Sequence, residues 1–330
     1  MSAQVPACQL LERQSRQSPF WVVGPPLDTW LVAQSAGVLS ADLSVLDAWA
    51  AGGKPAYTPF EDQSSAALSG EVVLFWPKAH QLGLWWLQWL CDVLPANTPL
   101  EVVGEHNGGI KRVPKVLAER GMACDKLDNA RRCSLFATRT VKKAATDDEW
   151  QRFDALGLTL ISHPGVFGHG KVDEGTQLLL ECLERDLPHA SMRVLDMGCG
   201  DGIISAWLAQ RGHQVTAVDV SAFAVEATRR TLNANGLEGR VMQSDVYAAL
   251  PDDPFDIIVS NPPFHQERDV SYGATQRLIR QASDYLAPKG QLFMVANAFL
   301  PYPDLLQQAF SSFQTLADNR RFRVYQAQKR

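Results

Sequence analysis

The chain has 330 residues, of which 46% are hydrophobic and 20% charged, and its formal net charge is −5. This length allows two domains of ordinary size, and the composition is typical of a soluble globular protein without low-complexity tracts. Residues 1–17 lack the charged start and apolar core of a signal peptide, and the net acidity, taken alone, argues weakly against a nucleic-acid partner.

The first half of the chain is predicted to contain two strands separated by a helix. The first strand, GEVVLFWPK (residues 70–78), stops at Pro77, which has no N–H to offer to a sheet. The stretch LGLWWLQWLCDVL (residues 82–94) is too short to span a bilayer and is predicted to be a buried helix. The second strand lies within LPANTPLEVVGE (residues 94–105), after a proline-containing turn.

Positive charge is concentrated in two segments. Residues 111–143 contain ten basic and three acidic residues, a net charge of +7, and residues 318–330 contain five and one, a net charge of +4. Such patches are typical of phosphate-binding surfaces even on an acidic protein, but equally of a solvated helix face. The charge pattern alone leaves both interpretations open.

The second half alternates strands and helices. Strands are predicted at residues 192–198, 214–220, 240–246, 255–261 and 291–297, helices at residues 203–212, 221–236 and 274–287, and a last helix and strand at residues 304–313 and 322–328. The helix at 221–236 has Ser221 at its N-cap position and ends at Gly236. This alternation predicts an α/β fold with a parallel, doubly wound sheet covered by helices on both faces.

The two halves share a pattern that predicts an internal duplication. Each contains a strand with a proline stop, a helix, a Leu–Pro or Leu-x-Pro turn and a second strand. The first copy has no glycine-rich loop and carries Trp76-Pro77-Lys78 where the second carries Asn-Pro-Pro-Phe, so it is predicted to keep the fold without the chemistry. With the boundary near residues 140–150, a degenerate domain is expected at residues 1–145 and a catalytic domain at residues 146–330.

The six cysteines are scattered along the chain, and no two have the C-x-x-C spacing. Neither a zinc ribbon nor a redox motif is therefore predicted, and no metal is expected. Free thiols in a reducing cytosol are expected, since no secretory signal is found. Cys199 lies in the glycine-rich loop and is interpreted as a packing residue, not as a nucleophile.

That loop follows the strand at residues 192–198. In VLDMGCGDG, glycines that include Gly198 and Gly200 allow a sharp turn and let a ligand touch the backbone. The dinucleotide fingerprint is not met, because its third glycine is replaced by Ile203. Asp196 and Asp201 would repel a pyrophosphate but not a cation. The loop therefore favours S-adenosyl-L-methionine, which has a sulfonium and no phosphate, over NAD.

Two further acids support cofactor binding. Asp219 ends the next strand, where an acid accepts hydrogen bonds from two ribose hydroxyls. Asp245 ends the third strand and is predicted to accept from the adenine amino group, while Val246 packs on the ring. A turn role for Asp219 and helix capping for Asp245 are the alternatives, but the spacing of the whole set favours a cofactor.

The sequence SNPPF follows the fourth strand, at the sheet edge where ligands of doubly wound folds bind. An aromatic exocyclic amine is a poor nucleophile unless its lone pair is localised. The side-chain oxygen of Asn261 and the carbonyl of Pro262 are predicted to accept its two N–H groups, with Pro262 and Pro263 fixing the backbone and Phe264 stacking on a flipped base. A simple strand-to-loop turn explains the prolines but not the joint placement of Asn261 and Phe264.

These motifs resemble a known family. DMGCGDG, Asp219, Asp245 and NPPF together are similar to class I S-adenosylmethionine-dependent methyltransferases that methylate amines. HPGVFGHGKVDEGTQLLL (residues 163–180) and ANAFLPYPDLL (residues 296–306) resemble the bacterial ribosomal RNA small subunit methyltransferase C family. The likeness is strong over residues 146–330 and thinner, in FWPK and DNARRCSLF, over the first half.

The resemblance implies two Rossmann-like class I methyltransferase domains in tandem, the first degenerate and supporting RNA binding. It implies methylation of the N2 amine of one guanine, nucleotide 1207 of 16S rRNA, within the small ribosomal subunit. The basic run and the tail would then bind phosphates. A cytoplasmic monomer without membrane association is expected.

The resemblance also implies that the loop within HPGVFGHGKVDEGTQ (residues 163–177) lies over the site. Gly165 and Phe167 are expected in the cofactor and base pocket, and Gln177 close to the glycine-rich loop. His163 precedes a proline and is interpreted as a turn residue. His265 is a candidate RNA contact.

Three alternatives remain open on the sequence. The same N2-methylguanine chemistry on 23S rRNA would use the same motif. Enzymes that methylate the glutamine of release factors also carry Asn-Pro-Pro and an aromatic residue, usually Tyr, whereas Phe264 and the duplicated domain favour RNA. The third alternative is a non-enzymatic RNA-binding assembly factor that merely keeps the pocket.

Overall fold

The computed structural model describes residues 2–62, 68–142, 150–166, 168, 170–262, 270–310 and 312–329. The chain forms two compact units, Met1–Glu149 and Trp150–Arg330, which we call unit 1 and unit 2. No helix within the described ranges is long and apolar enough to cross a membrane.

Unit 1 alternates strands and helices from its start. Its described helices are α1 (Pro6–Glu12), α2 (Thr29–Gln34), α3 (Leu43–Ala51), α4 (His80–Val93) and α5 (Val113–Glu119), and its strands are β1 (Trp21–Val23), β2 (Gly37–Leu39), β3 (Ala56–Tyr57), β4 (Val72–Phe75), β5 (Pro99–Glu105), β6 (Asp125–Ala130) and β7 (Cys133–Arg139). The Asp28 and Asp42 carboxylates accept backbone N–H groups of α2 and α3, which satisfies donors that have no partner within a helix.

The strands of unit 1 form one sheet in the order β3-β2-β1-β4-β5-β7-β6. The first five run parallel, β7 runs antiparallel to β5, and β6 runs antiparallel to β7. Fully buried side chains of α1, α2 and α3, among them Leu10, Leu31 and Trp49, pack on the sheet. The predicted helix in the tryptophan-rich stretch is confirmed as α4, in which Trp85 and Trp86 are buried.

Unit 2 begins with a hairpin that the sequence did not predict. Its strands are β8 (Gln151–Ala155), β9 (Leu158–Ser162), β10 (Arg193–Met197), β11 (Gln214–Asp219), β12 (Arg240–Gln243), β13 (Phe255–Ser260), β14 (Leu286–Asn297), β15 (Phe313–Asp318) and β16 (Phe322–Gln328), and its described helices are α6 (Glu174–Asp186), α7 (Ile203–Gln210), α8 (Ala222–Ala234), α9 (Val270–Tyr285) and α10 (Tyr302–Phe310). Strands β8 and β9 pair only with each other, and the other seven form one sheet.

The sheet of unit 2 has the order β12-β11-β10-β13-β14-β16-β15, which repeats that of unit 1 strand for strand. The predicted α/β fold with two tandem Rossmann-like domains is therefore confirmed. The sheet is mixed, however, because β16 runs antiparallel to β14 and β15 antiparallel to β16.

Several predicted element boundaries in unit 2 differ from the structure, and the helix predicted at residues 274–287 spans Val270–Tyr285 instead. The helix predicted to reach Phe313 ends at Phe310, because Phe313 already pairs in β15. The third strand ends at Gln243 and not at Val246. Strand β14 starts at Leu286, before its proline, and a register shift against β13 between Phe255 and Ile257 accommodates the irregular start.

Both faces of the unit 2 sheet are buried. Successive strand residues point to opposite faces, so Val194 packs with α6 and α7 whereas Leu195 packs with α9 and α10. Burial on both faces leaves little room for polar side chains in the middle of the strands, and the predicted site residue Asp219 stands at the carboxyl edge of the sheet. The buried Asp196 in β10 is an exception, and it lies at this edge.

Candidate functional site

The glycine-rich loop joins β10 to α7 in a tight turn. Gly198, Gly200 and Gly202 have φ angles of 81°, 56° and 82°, a region that side chains disfavour. A Cβ on Gly202 would lie 2.8 Å from the Cα of Thr228 in α8, whereas a Cβ on Gly198 would meet no atom within 4 Å. The loop is therefore packed on its inner side and open at Gly198, where a ligand can approach the backbone.

Asp219, at the end of β11, holds this loop. One of its carboxylate oxygens accepts the Gly200 N–H at 3.1 Å, and the other accepts the Ser221 N–H at 2.9 Å. Ser221 is the N-cap residue of α8, as predicted, but its side chain makes no capping hydrogen bond. The sequence-predicted Asp219 and Gly200 are thus brought into direct contact.

Asp196 is a fully buried acid beneath the loop. Ser205 donates a hydrogen bond to its Oδ2 at 2.6 Å, and its Oδ1 has no hydrogen-bond partner among the described residues. Burial raises the pKa of Asp196 to about 7, and the Asp219 and Asp201 carboxylates add to the rise. Burial also raises the pKa of Asp201 to about 6. A buried acid with an unused acceptor is suited to a cationic ligand, so the site fits the predicted S-adenosyl-L-methionine.

Asp245 and Val246 lie just after the carboxyl end of β12, the strand next to β11 in the sheet. The Asp245 carboxylate pairs with Arg277 of α9 at 2.7 Å, and both side chains are partly exposed. Val246 has a φ of 52°, which is an outlier for a β-branched residue, and its side chain packs against the core. Both residues lie at the carboxyl edge of the sheet with Asp219, whose carbonyl accepts the Ser244 N–H at 2.9 Å.

Asn261 follows β13, next to β10 in the sheet. The preceding Ser260 is buried, and its hydroxyl donates to the Met197 carbonyl at 2.8 Å, which fixes the strand end. The Asn261 Nδ2 donates to Asp173 Oδ2 at 2.6 Å and to Thr176 Oγ1 at 2.7 Å. Its Oδ1 is buried and finds no partner in the part of the chain that the structure describes. The amide therefore presents one unused acceptor.

The sequence did not single out Asp173 and Thr176. Asp173 is the N-cap of α6 and accepts the N–H groups of Gly175 at 2.8 Å and Thr176 at 3.2 Å. The Thr176 hydroxyl also donates to Asp173 Oδ2 at 2.8 Å. The signal available was an Asp placed before a helix, which predicts an N-cap. It did not indicate that the same carboxylate reaches a residue 88 positions away.

The segment after β9 packs on Phe223 of α8 and approaches the glycine-rich loop at Gly200. His163 is buried, and its ring stacks on Phe223 with centroids 4.3 Å apart. A Cβ on Gly165 would lie 2.4 Å from the Phe223 ring, so only glycine fits there, and the Gly165 N–H donates to His163 Nδ1 at 3.0 Å. Val166 is buried and lies 4.0 Å from a Cβ built on Gly200. His163 thus shapes a turn, as predicted.

Comparisons with known proteins agree with this geometry. Residues 157–326 match the family described as Methyltransferase small domain, and residues 20–153 match Methyltransferase small domain N-terminal. The chain is 56% identical over 332 residues to a ribosomal RNA small subunit methyltransferase C of Chromohalobacter salexigens, covering 100% of this chain and 99% of the relative. The corresponding protein of Escherichia coli K12 is 42% identical over 260 residues, covering 78% of this chain and 74% of the relative.

The chain belongs to the ribosomal RNA small subunit methyltransferase C family. A solved structure has a similar fold over both units, with a TM-score of 0.84, 29% sequence identity, and coverage of 99% of this chain and 92% of that chain. It is the T. thermophilus 16S rRNA N2 methyltransferase for guanine 1207, in complex with AdoMet and guanosine.

Other predicted residues of this family member lie apart from the cluster or outside the described ranges. Gln177 is exposed on α6, and its neighbour Thr176 makes the contact with Asn261. Pro262 is buried directly after Asn261. The predicted Phe167, Pro263, Phe264 and His265 lie outside the described residues. Burial raises the pKa of the Cys199 thiol well above its usual range, as expected for a packing residue.

Unit 1 of this family member has different residues at the corresponding places. Val23 of β1 pairs with Leu74, two residues before Trp76, just as Asp196 pairs with Val259, two residues before Asn261. A valine and a tryptophan thus stand where unit 2 has its buried acid and amide. Trp76 is buried, and a Cβ on Gly83 of α4 would lie 2.6 Å from its ring, so the indole fills this end of the sheet.

A cavity of about 880 Å³ in unit 2 holds none of these site residues. It is lined by residues such as Gln214 and Arg240, which begin β11 and β12. Ligands of doubly wound sheets bind at the carboxyl ends of strands. The candidate site residues Gly198, Asp219 and Asn261 lie at the opposite, carboxyl ends of the strands. The described residues include no group of three or more His, Cys, Asp or Glu that could hold a metal.

Proposed function

We propose that the protein transfers a methyl group from S-adenosyl-L-methionine to the exocyclic N2 amine of a guanine in 16S rRNA. The family membership and the activity of the T. thermophilus relative support this reaction, and that relative also supports nucleotide 1207 as the target. As the sequence predicts, we propose the assembled small ribosomal subunit as the substrate and a cytoplasmic monomer as the active form.

One observation carries the proposal: the Asn261 amide has a fixed orientation and an unused, buried oxygen. Its nitrogen is held by Asp173 and Thr176, so its Oδ1 is the atom offered at the edge of the sheet. A buried carbonyl oxygen without a partner is costly, and such groups in native proteins usually have a functional reason. An amine N–H of the substrate would satisfy it.

The residues around the glycine-rich loop would hold the cofactor. We propose that Asp196, Gly198 and Gly200 contact the positively charged part of the cofactor, and that Asp219 accepts hydrogen bonds from its ribose hydroxyls. Asp245 and Val246 would bind the adenine. Phe167 and Gln177 remain predicted contacts from the family resemblance. When bound, the cofactor supplies an electrophilic methyl carbon on a positively charged sulfur.

The chain itself orients and activates the amine. Asn261 Oδ1 and the Pro262 carbonyl would each accept one N–H of the guanine N2, which draws the lone pair out of conjugation and aims it at the methyl carbon. Pro262 and Pro263 would keep the Pro262 carbonyl in place, and Phe264 would stack on the flipped base. No strong base is required, since the amine proton can leave after the carbon–nitrogen bond forms.

Unit 1 is proposed to be a degenerate, non-catalytic copy that supports RNA binding, and the methyl transfer is proposed to be confined to the second domain, residues 146–330. Val23 and Trp76 at the places of Asp196 and Asn261 support this assignment. The basic residues at 111–143 would contribute phosphate contacts.

The experiment is a transfer assay with tritiated S-adenosyl-L-methionine. Small subunits, large subunits, naked rRNA and a release factor are each incubated with the protein. Label on small subunits alone, recovered as N2-methylguanine, is the expected result. Label on large subunits or on the release factor would show that the substrate is not the small subunit. No label on any of them would favour a non-enzymatic RNA-binding protein.

A further inference from the structure

Phe299 is the most exposed large hydrophobic residue among those described, with 77% of its surface accessible. It lies in a turn after β14, in which the Leu300 N–H donates to the Asn297 carbonyl at 3.0 Å. Leu300 packs against the core and Tyr302 is buried, so the turn selectively leaves the Phe299 ring in solvent. One exposed apolar residue is ordinary by itself, so its surroundings decide whether it has a function.

The turn that carries this ring lies against a turn that is rich in arginine. The Ala298 N–H donates to the Arg321 carbonyl at 2.9 Å, and Arg323 donates to the Ala298 carbonyl at 3.1 Å. The turn of Phe299 therefore lies against the β15–β16 turn, which carries Arg320 and Arg321. Both of these side chains are exposed, and no ion pair joins Arg320 to any described residue. We call Phe299, Arg320 and Arg321 the Phe–Arg surface.

The Phe–Arg surface adjoins the candidate site. Arg321 pairs with Glu174 at 2.6 Å, and Glu174 follows Asp173, which holds the Asn261 amide. The turn of Phe299 and Asn261 also follow the carboxyl ends of two neighbouring parallel strands, β14 and β13. A chain of direct contacts thus connects the surface to the amide that orients the substrate.

We propose that the Phe–Arg surface binds single-stranded RNA next to the target guanine. The Phe299 ring would stack on an unpaired neighbouring base, and Arg320 and Arg321 would neutralise its phosphates. An exposed ring next to a turn with exposed arginines suits single-stranded nucleic acid, because every base has a π-face and every linkage a charge. The exposed Arg321–Glu174 pair contributes little, so a phosphate can take the place of the carboxylate. The inference deepens the proposed function and rests on it for the identity of the RNA.

The test measures binding of a fluorescent single-stranded RNA oligonucleotide and the KM for small ribosomal subunits. Phe299→Ala removes the ring, and Phe299→Trp restores an aromatic face. Leu156→Ala is the matched control, an exposed apolar residue of the same unit in the β8–β9 turn. Arg320→Gln is compared with Arg185→Gln, an exposed arginine of α6. Melting temperature and cofactor affinity are recorded for every variant.

Phe299→Ala is expected to weaken RNA binding about five- to 150-fold, the loss that alanine substitution of one stacking aromatic gives, and Phe299→Trp to restore it. Arg320→Gln is expected to lower the slope of log affinity against log salt by about 0.7. Both control variants and the cofactor affinities are expected to match the wild type.

RNA binding by Phe299→Ala within twofold of the wild type would overturn the inference. A Phe299→Ala variant that loses affinity for the subunit but not for the oligonucleotide would also overturn it, because the surface would then bind a ribosomal protein. A variant that converts a dimer to a monomer would overturn it as well, because the surface would then bind a second copy of the chain. Failure of the proposed function looks different. In that case the wild type transfers no label to the small subunit, yet RNA binding still depends on Phe299.

Discussion

The Asn261 amide nitrogen lies 2.6 Å from the Asp173 carboxylate, although 88 residues separate them in the sequence. A carboxylate only accepts hydrogen bonds, so the atom facing it is the amide nitrogen and not the amide oxygen. The Thr176 hydroxyl completes the arrangement by donating to Asp173 and accepting from Asn261. The start of α6 thereby fixes which end of the Asn261 amide the site offers.

Removal of the Asn261 amide should stop transfer without preventing cofactor binding. Asn261→Ala deletes the acceptor for the target amine, and loss of one such positioned group typically costs about 100- to 1,000-fold in rate. We expect kcat to fall by at least this factor while the cofactor Kd, measured by calorimetry, stays within about threefold. Asn233→Ala, at an exposed asparagine of α8, is the control. An equal loss of transfer and cofactor binding would contradict the assigned role.

The Thr176 hydroxyl should be needed for the orientation of Asn261. Thr176→Val removes it at nearly constant shape, whereas Thr176→Ser keeps it. Misplaced reacting groups cost up to about 100-fold, so we expect Thr176→Val to lower kcat about 10- to 100-fold at unchanged KM for the subunit. Thr176→Ser should recover most of the rate. If both variants had the same kcat, the hydroxyl would have no positioning role.

Cofactor affinity should rise with pH towards neutrality. The Asp196 pKa is about 7 without ligand, so part of the protein carries a neutral acid at pH 6. A bound cation favours the carboxylate, and binding below pH 7 therefore releases a proton. Affinity should weaken by up to about tenfold for each pH unit below 7 and level off above it. Calorimetry in buffers of different ionisation enthalpy measures the released proton, and a Kd constant from pH 6 to pH 8 would refute the link.

The same carboxyl should make the ligand-free protein less stable as pH rises. Its folded pKa of about 7 lies above the unfolded value of about 3.9, so the folded state binds more protons between these values. The resulting contribution to the free energy of unfolding is fully present below about pH 4 and is lost as pH rises through 7. The free energy of unfolding of Asp196→Asn relative to the wild type should therefore increase between pH 5 and pH 8. A difference that does not change with pH would contradict the raised pKa.

Two glycines of the loop should fail in different ways. Gly202→Ala places a Cβ 2.8 Å from the Thr228 backbone at a φ of 82°, so backbone strain and overpacking together should lower stability by about 2–5 kcal/mol. Gly198→Ala meets open space at a similar φ and should cost only about 1–2 kcal/mol, but its methyl group occupies the cofactor side of the loop. Denaturant unfolding and calorimetry separate the two, and equal stability losses would contradict the packing.

The sequence predicted those parts of the site whose signals are local. The glycines around Gly200 end a strand, and two prolines after Asn261 stop another, so the carboxyl edge of the sheet was predictable from both. The duplication was visible in the spacing of strands and prolines. The structure extends the duplication to all seven strands. The sequence could not show this, because β1, β2 and β3 have only two or three residues each and are too short to show a period.

Long-range contacts account for what the sequence did not reveal. Asp173 carries an ordinary helix-cap signal, and only the tertiary fold brings it to Asn261. The β8–β9 hairpin was missed because side chains of α8 and of the residue that follows it, and not a neighbouring sheet, satisfy its outer backbone groups. The Thr159 N–H donates to Asn235 Oδ1 at 2.9 Å, and the Ile161 N–H donates to Thr231 Oγ1 at 3.0 Å.

A crystal structure of the protein with S-adenosylhomocysteine and guanosine would test the central claim most directly. We predict that the guanine N2 lies within hydrogen-bond distance of Asn261 Oδ1, with the Asn261 Nδ2 still on Asp173 and the cofactor product over Gly198. A guanine bound elsewhere, or an amide turned so that its oxygen no longer faces the base, would contradict it.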